Sequence, residues 1–154
     1  MGKKLFLKIG KLLLLIAGAL LLLFVGIQLI PVSRGNPPVT LEVRWDSPQT
    51  RELAKRACLD CHSNETVWLW YSYVAPISFG ISNHVMEGRE KLNFSEWDRT
   101  DIDFEEIEES ITEGKMPLWN YLLVHPEARL TASEKEQLLS GLRATFKQNP
   151  PRSP

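Results

Sequence analysis

Apolar residues crowd into one end of the chain and then thin into helical periods. Leu12 to Ile30, LLLLIAGALLLLFVGIQLI, is a nineteen-residue run without a charge, and at about 1.5 Å per residue it nearly matches a hydrocarbon core of about 30 Å. The run predicts a transmembrane helix over 12–30, with a basic leader over 1–11 and a proline-rich tether over 31–46. Beyond it, Ser47 can cap a helix that has Pro48 in its first turn and Leu53, Ala54 and Ala57 along one side, leading into Cys58. A second helix is predicted from Pro76 to about Gly88, with Ile77, Ile81, His84 and Val85 on a shared side. A third, from about Phe104 to Glu113, turns Phe104, Ile107 and Ile111 inward and its glutamates outward. The last opens on the capping box Thr131 and Glu134 and carries Leu138, Leu139, Leu142 and Phe146 as its buried stripe. No stretch alternates long enough to read as a strand, and no repeat is visible. The expected fold class is all-α, a single small domain over 47–148 with a disordered tail over 149–154.

Charge orients this arrangement. Lys3, Lys4, Lys8 and Lys11 precede the apolar run and only Arg34 follows closely, so the amino terminus is expected inside and the rest outside. A cleaved signal is the competing reading, but such signals have apolar regions of about 7–15 residues and a small-x-small cleavage site, which VGIQLIPVSRG does not offer. Once the first thirty residues are set aside, 14 Lys and Arg face 19 Asp and Glu. That acidic balance excludes nucleic acid, whose recognition needs basic patches, and suits a basic partner protein.

The chemistry concentrates in one place. Cys58, Cys61 and His62 form C-x-x-C-H, and the chain has no other cysteine. A disulfide between them would close a tiny loop and leave His62 unexplained. A redox dithiol expects a βαβ setting with the motif opening a helix, whereas here a predicted helix ends at it. A zinc site would need Cys58, Cys61 and two of His62, His84 and His125. The remaining reading is attachment of one c-type haem: both thiols join the haem covalently and His62 binds iron from the proximal side. Two intervening residues let one turn of backbone reach both vinyl groups, and the next residue falls under the iron.

The second iron ligand has three candidates. Met116 lies in GKMPLW, after the acidic helix, and its G-x-M-P form resembles the loop supplying the axial methionine in small cytochromes c. The ordinary role of an isolated methionine is core filling, which fits a loop position less well than a helical stripe. His84 is expected on the apolar side of its helix, where a histidine is commonly buried and satisfied by a carbonyl. His125, before Pro126, is expected at a turn. Met86 reads as packing or exposed.

Three blocks, CLDCHSNETVWLWYSYVAPISF, HVMEGREKLNFSEW and GKMPLWNYLLVHPEARLTASE, resemble the small bacterial proteins grouped as the haem-binding domain family. The likeness runs from about Asn36 to Leu142. It implies a monohaem, cytochrome c-like helical domain, held at the bacterial cytoplasmic membrane by an N-terminal segment and facing the periplasm or cell exterior. One departure is local: the family often has W-P-W-Y where this chain has WLWY, with Leu69 in place of the proline. Trp68, Trp70, Tyr71, Tyr73 and Phe79 are expected mainly as core, with one or two beside the porphyrin. Arg89 and Lys91 are expected at the surface, with propionate pairing as their other possible role. Three function classes follow: a membrane-tethered electron carrier with six-coordinate iron, a sensor or peroxidase-like protein with an open iron position, and an interaction module in which haem is structural. No Ser-His-Asp set, phosphate loop or carboxylate pair points to other catalysis.

Overall fold

The helices that carry the site are begun and ended by local chemistry that the sequence displays. In the computed structural model, which describes residues 2–100 and 102–151, the elements are α1 (Gly2–Ile27), α2 (Pro48–Ala57), α3 (Leu59–His62), α4 (Ile77–Lys91), α5 (Phe104–Thr112), α6 (Tyr121–Val124) and α7 (Ala132–Gln148). Short 3-10 turns lie at Trp70–Tyr73, Trp97–Arg99 and Pro126–Ala128. The fold is all-helical; among the described residues the only extended pairing is one bridge between Leu41 and Glu96. Ser47 caps α2 by accepting from the Thr50 amide, Asp103 caps α5 by accepting from the Glu106 amide, and Thr131 and Glu134 form the full capping box of α7. Each satisfies amides that a helix start leaves without an internal partner.

The chain divides into two compact units, Met1–Arg34 with Trp68–Ser82, and Gly35–Val67 with Asn83–Pro154. In the first, α1 is long and apolar enough to cross a membrane, with an 18-residue stretch whose mean hydropathy is 2.5 and which is not buried within the protein. It starts at Gly2, so residues 2–11, expected as a leader, continue the helix. In the second, Leu53, Ala54, Leu59, Leu138 and Leu142 pack with an aromatic group of Phe94, Trp97, Phe104 and Phe146. Trp97 stacks on Phe94 at 5.8 Å and meets Phe146 edge-on at 4.9 Å.

Three expectations are corrected. The stretch 40–45, read as tether, is woven into the second unit: the Val43 amide donates to Phe94 O at 2.9 Å, the Trp97 amide to Leu41 O at 2.9 Å, and Val43 is buried. Leu41, Val43 and Trp45 alternate with Glu42 and Arg44, but over too few residues to read as a strand. In α4, Ile77 and His84 are exposed and Ile81 is half-buried; of the four predicted residues only Val85 is buried, alongside Ser78 and Ser82. Hydroxyls satisfied by backbone, as in Ser82 Oγ to Ser33 O at 2.7 Å, make that face buryable without apolar side chains. Trp70 and Tyr73, expected in the core, are exposed. The tail expected over 149–154 lies outside the described residues from 152 onward; Asn149 accepts from Trp97 Nε1 at 2.8 Å.

Candidate functional site

α2 ends at Ala57, and the chain passes through Cys58 straight into the single turn of α3. The Cys58 amide donates to Ala54 O at 2.7 Å, while Cys58 O accepts from the amides of Cys61 at 3.1 Å and His62 at 2.9 Å. One turn therefore presents both thiols and the imidazole, and the cysteines are unpaired with each other. Burial, with Cys61 adding to it, pushes the Cys58 thiol up to about 12; burial and the neighbouring Asp60 push Cys61 up to about 11.

The C-terminal end of α4 seats the ring of His62. Its Nδ1 lies 3.0 Å from Gly88 O and 3.1 Å from Leu92 O. Carbonyls only accept, so Nδ1 carries the proton and donates, and Nε2 keeps the lone pair. Burial lowers the His62 pKa, which keeps the ring neutral. Gly88 permits this approach: a Cβ there would stand 2.6 Å from the Cys61 carbonyl oxygen.

These groups open on a cavity of about 740 Å3 lined by Cys58, Cys61, His62, His84, Met116 and Tyr121, among others. A second cavity of about 190 Å3 shares Cys58, His62 and Met116 and extends among Leu92, Ile107, Ile111 and Leu138. Met116 arrives on the loop after α5, its amide donating to Ser110 O at 2.9 Å. Gly114 turns that loop with φ of 72°. On the wall, Tyr121 donates its hydroxyl to Asp60 Oδ2 at 2.9 Å and the Val67 amide donates to Asp60 Oδ1 at 3.0 Å. Burial and Asp60 raise the Tyr121 pKa, so it stays a donor.

The sequence profile of the haem-binding domain matches residues 22–144. The chain belongs to the haem-binding domain family. No curated protein and no solved structure matches it.

The residues present in this haem-binding domain fit such a group. The larger cavity is within the roughly 300–1,000 Å3 of cofactor sites, and it gathers two thiols, a neutral imidazole with a free nitrogen lone pair, and a thioether. Of the rival histidines, His84 lines this cavity but is exposed, 4.0 Å from Glu87. His125 is not among the lining residues: it is buried, its Nδ1 3.1 Å from Glu127 Oε1 and its ring stacked on Tyr121 at 4.0 Å. The gathering that a zinc site needs is absent among the described residues, where no three His, Cys, Asp or Glu have metal-holding geometry. Arg89, weighed for propionates, is instead spent on Ser63 O, Gly35 O, Asn36 Oδ1 and Thr66 Oγ1 at 2.8–2.9 Å. Lys91 lines both cavities. Sequence reasoning missed Asp60, Gly88 and Tyr121; Asp60 was signalled by its place between the cysteines and Gly88 by being a glycine inside a helix, while Tyr121 carried no signal.

Proposed function

We propose that this haem-binding protein is a membrane-tethered monohaem c-type cytochrome that carries one electron between partners. In this reading Cys58 and Cys61 hold the haem through thioethers, His62 is the proximal iron ligand and Met116 the distal one. The observation that carries it is the seat of His62: Nδ1–H is fixed by two carbonyls, so Nε2 remains as the ligand atom, the tautomer that such carbonyl bonds impose on ligating histidines. Haem held there supplies the ferric–ferrous couple, and a thioether ligand raises its potential. The chain's own residues then do the rest. The Gly88 and Leu92 carbonyls orient the imidazole and raise its basicity. Asp60 is satisfied by Tyr121 and the Val67 amide, so its charge is held by the wall. The acidic balance beyond residue 30 attracts a basic redox partner. In this reading α1 anchors the chain in the bacterial cytoplasmic membrane, and the lysines at its start support a domain on the periplasmic side.

His84 supports a second reading, a bis-histidine site, because it lines the same cavity and is free of the core. The test is the visible spectrum of full-length protein matured with haem, followed by acid-acetone extraction. Colour should stay with the wild type and be lost from the Cys58→Ala, Cys61→Ala double variant; covalent haem retained there would defeat the assignment. Met116→Ala should abolish the weak red charge-transfer band of a ferric thioether ligand and admit carbon monoxide to the reduced iron. If only His84→Ala does so, histidine is the distal ligand. If the wild type itself binds carbon monoxide at neutral pH, the sensor or peroxidase-like class replaces electron transfer.

A further inference from the structure

Trp70, Tyr73 and Ile77 are 77%, 56% and 56% exposed, although nothing in the haem site uses them: none lines either cavity. They belong to the same compact unit as α1, and side chains just beyond the end of α1 hold their segment. Gln28 donates through Nε2 to Phe24 O at 3.0 Å and to Ala75 O at 3.2 Å, and its Oε1 accepts from the Ala75 amide at 2.9 Å. Arg34 donates to Ser72 O at 3.4 Å and sits 4.6 Å over the Tyr73 ring.

This arrangement solves a boundary problem. Within the hydrocarbon core every amide must find a partner, because no water reaches it, and the last turn of α1 lies where that core ends. Gln28 uses both donors and its acceptor, closing the last turn of α1 and clamping Ala75 in one step. The clamp brings the neighbouring aromatics to the level at which α1 leaves the apolar run. Trp and Tyr are enriched at that level in membrane proteins, since their rings bury in the acyl boundary while N–H and O–H reach headgroups and water. Leu29 and Ile30, also exposed, extend the apolar surface from α1.

We propose that Leu69–Ile77 is a membrane-interface element, with Trp70, Tyr73 and Ile77 seated in the headgroup–acyl boundary of the leaflet in which α1 ends. It rests on the reading of α1 as an anchor. The occupant is lipid, because the surface is continuous with the membrane helix through Gln28, which holds Ala75, while Arg34 further along the chain holds Ser72.

The test uses full-length haem-loaded protein in nanodiscs of phosphatidylcholine and phosphatidylglycerol that include a phospholipid with a diazirine high on its acyl chain. After irradiation, mass spectrometry assigns adducts to residues. Adducts are expected in α1 and at Trp70, Tyr73 or Ile77, and Gln28→Ala should lower those in 69–77 several-fold relative to those in α1, since the clamp is lost. Adducts confined to α1 would overturn the interface element and leave the anchor standing. Adducts in neither would overturn both. Labelling of 69–77 that is unchanged in Gln28→Ala would overturn the clamp as its cause.

Discussion

Adding one methyl group at Gly88 should unseat His62. On helix propensity alone, Gly88→Ala would stabilise α4 by about 1 kcal/mol. Against this, the new Cβ would stand 2.6 Å from the Cys61 carbonyl oxygen and 3.2 Å from the Cys61 carbonyl carbon and Cβ. The oxygen is backbone in the turn that carries the motif, so it cannot rotate away; α4 and α3 must part, at an overpacking cost of about 1–3 kcal/mol. Parting them stretches the bonds from Nδ1 to Gly88 O and Leu92 O, each worth about 1 kcal/mol. The losses exceed the gain, and a net destabilisation of about 1–3 kcal/mol is expected. Gly80 is the internal control: it lies on the same helix with nothing within 4 Å of an added Cβ, so Gly80→Ala should be neutral or stabilising by up to about 1 kcal/mol. Urea unfolding of the full chain in detergent, followed by circular dichroism, gives both values from midpoints at constant slope. The haem-to-protein ratio after maturation gives the effect on the site, which should fall for Gly88→Ala alone. If the two variants unfold at the same midpoint and load haem equally, the close approach of α4 to the motif is not what seats His62.

Two further outcomes follow from groups around the site. Gly114 adopts φ of 72° with open space around it, so Gly114→Ala should cost about 1 kcal/mol from left-handed strain, and Gly114→Asn less; equal urea midpoints for Gly114→Ala and the wild type would refute this. The Arg56 hydrogen bond, with the Thr131 cap, holds Glu134 well below the usual carboxylate range, at about 2. Its contribution is therefore fully present above its ordinary value of 4.5 and is lost as pH falls from there towards 2. Glu134→Gln should flatten the decline in urea midpoint across that window, and a decline as steep as the wild type's would place the acid sensitivity elsewhere.

Legibility divided along the range of the interactions. The starts of α2 and α7 could be read because Ser47 with Thr50 and Thr131 with Glu134 bond across three residues, so a short window contains donor and acceptor alike. The inward stripe of α5 was legible for the same reason: Phe104, Ile107 and Ile111 mark a period that packing then uses. The buried face of α4 was not, because Ser78 and Ser82 are polar by composition, and Ser82 becomes buryable through Ser33, far from it in the chain. Half of the aromatic core was legible, since Phe104 and Phe146 lie on helical stripes; Phe94 and Trp97 were not, because they sit outside any regular period and meet the others only in the fold. The motif announced Cys58, Cys61 and His62 by spacing, but the partners that fix the ring are the carbonyls of residues 88 and 92. A carbonyl belongs to every residue, so no composition or period can point to it. Gly88 gives the one indirect sign, since a glycine inside a helix costs stability unless something approaches it closely.

The electrostatics of the motif bear on what the two sulfurs are for. Zinc ligation and disulfide exchange both act through thiolates, and sites built for them lower the thiol pKa with cations or a helix start. Here burial works in the opposite direction at both cysteines, Asp60 adds to it at Cys61, and Arg89 opposes it only there. Arg89 is also bound to three backbone and side-chain oxygens of the second unit besides Ser63 O, so it is not poised to neutralise a thiolate. A pair of thiols kept protonated between pH 5 and 9 would be a poor dithiol catalyst and a poor metal clip. As thioethers the same sulfurs carry no charge in any state, and burying them costs no ionic desolvation. The environment that disfavours thiolate chemistry thus favours the covalent attachment proposed for Cys58 and Cys61, leaving His62, with its proton fixed on Nδ1, as the one donor of the motif available to iron.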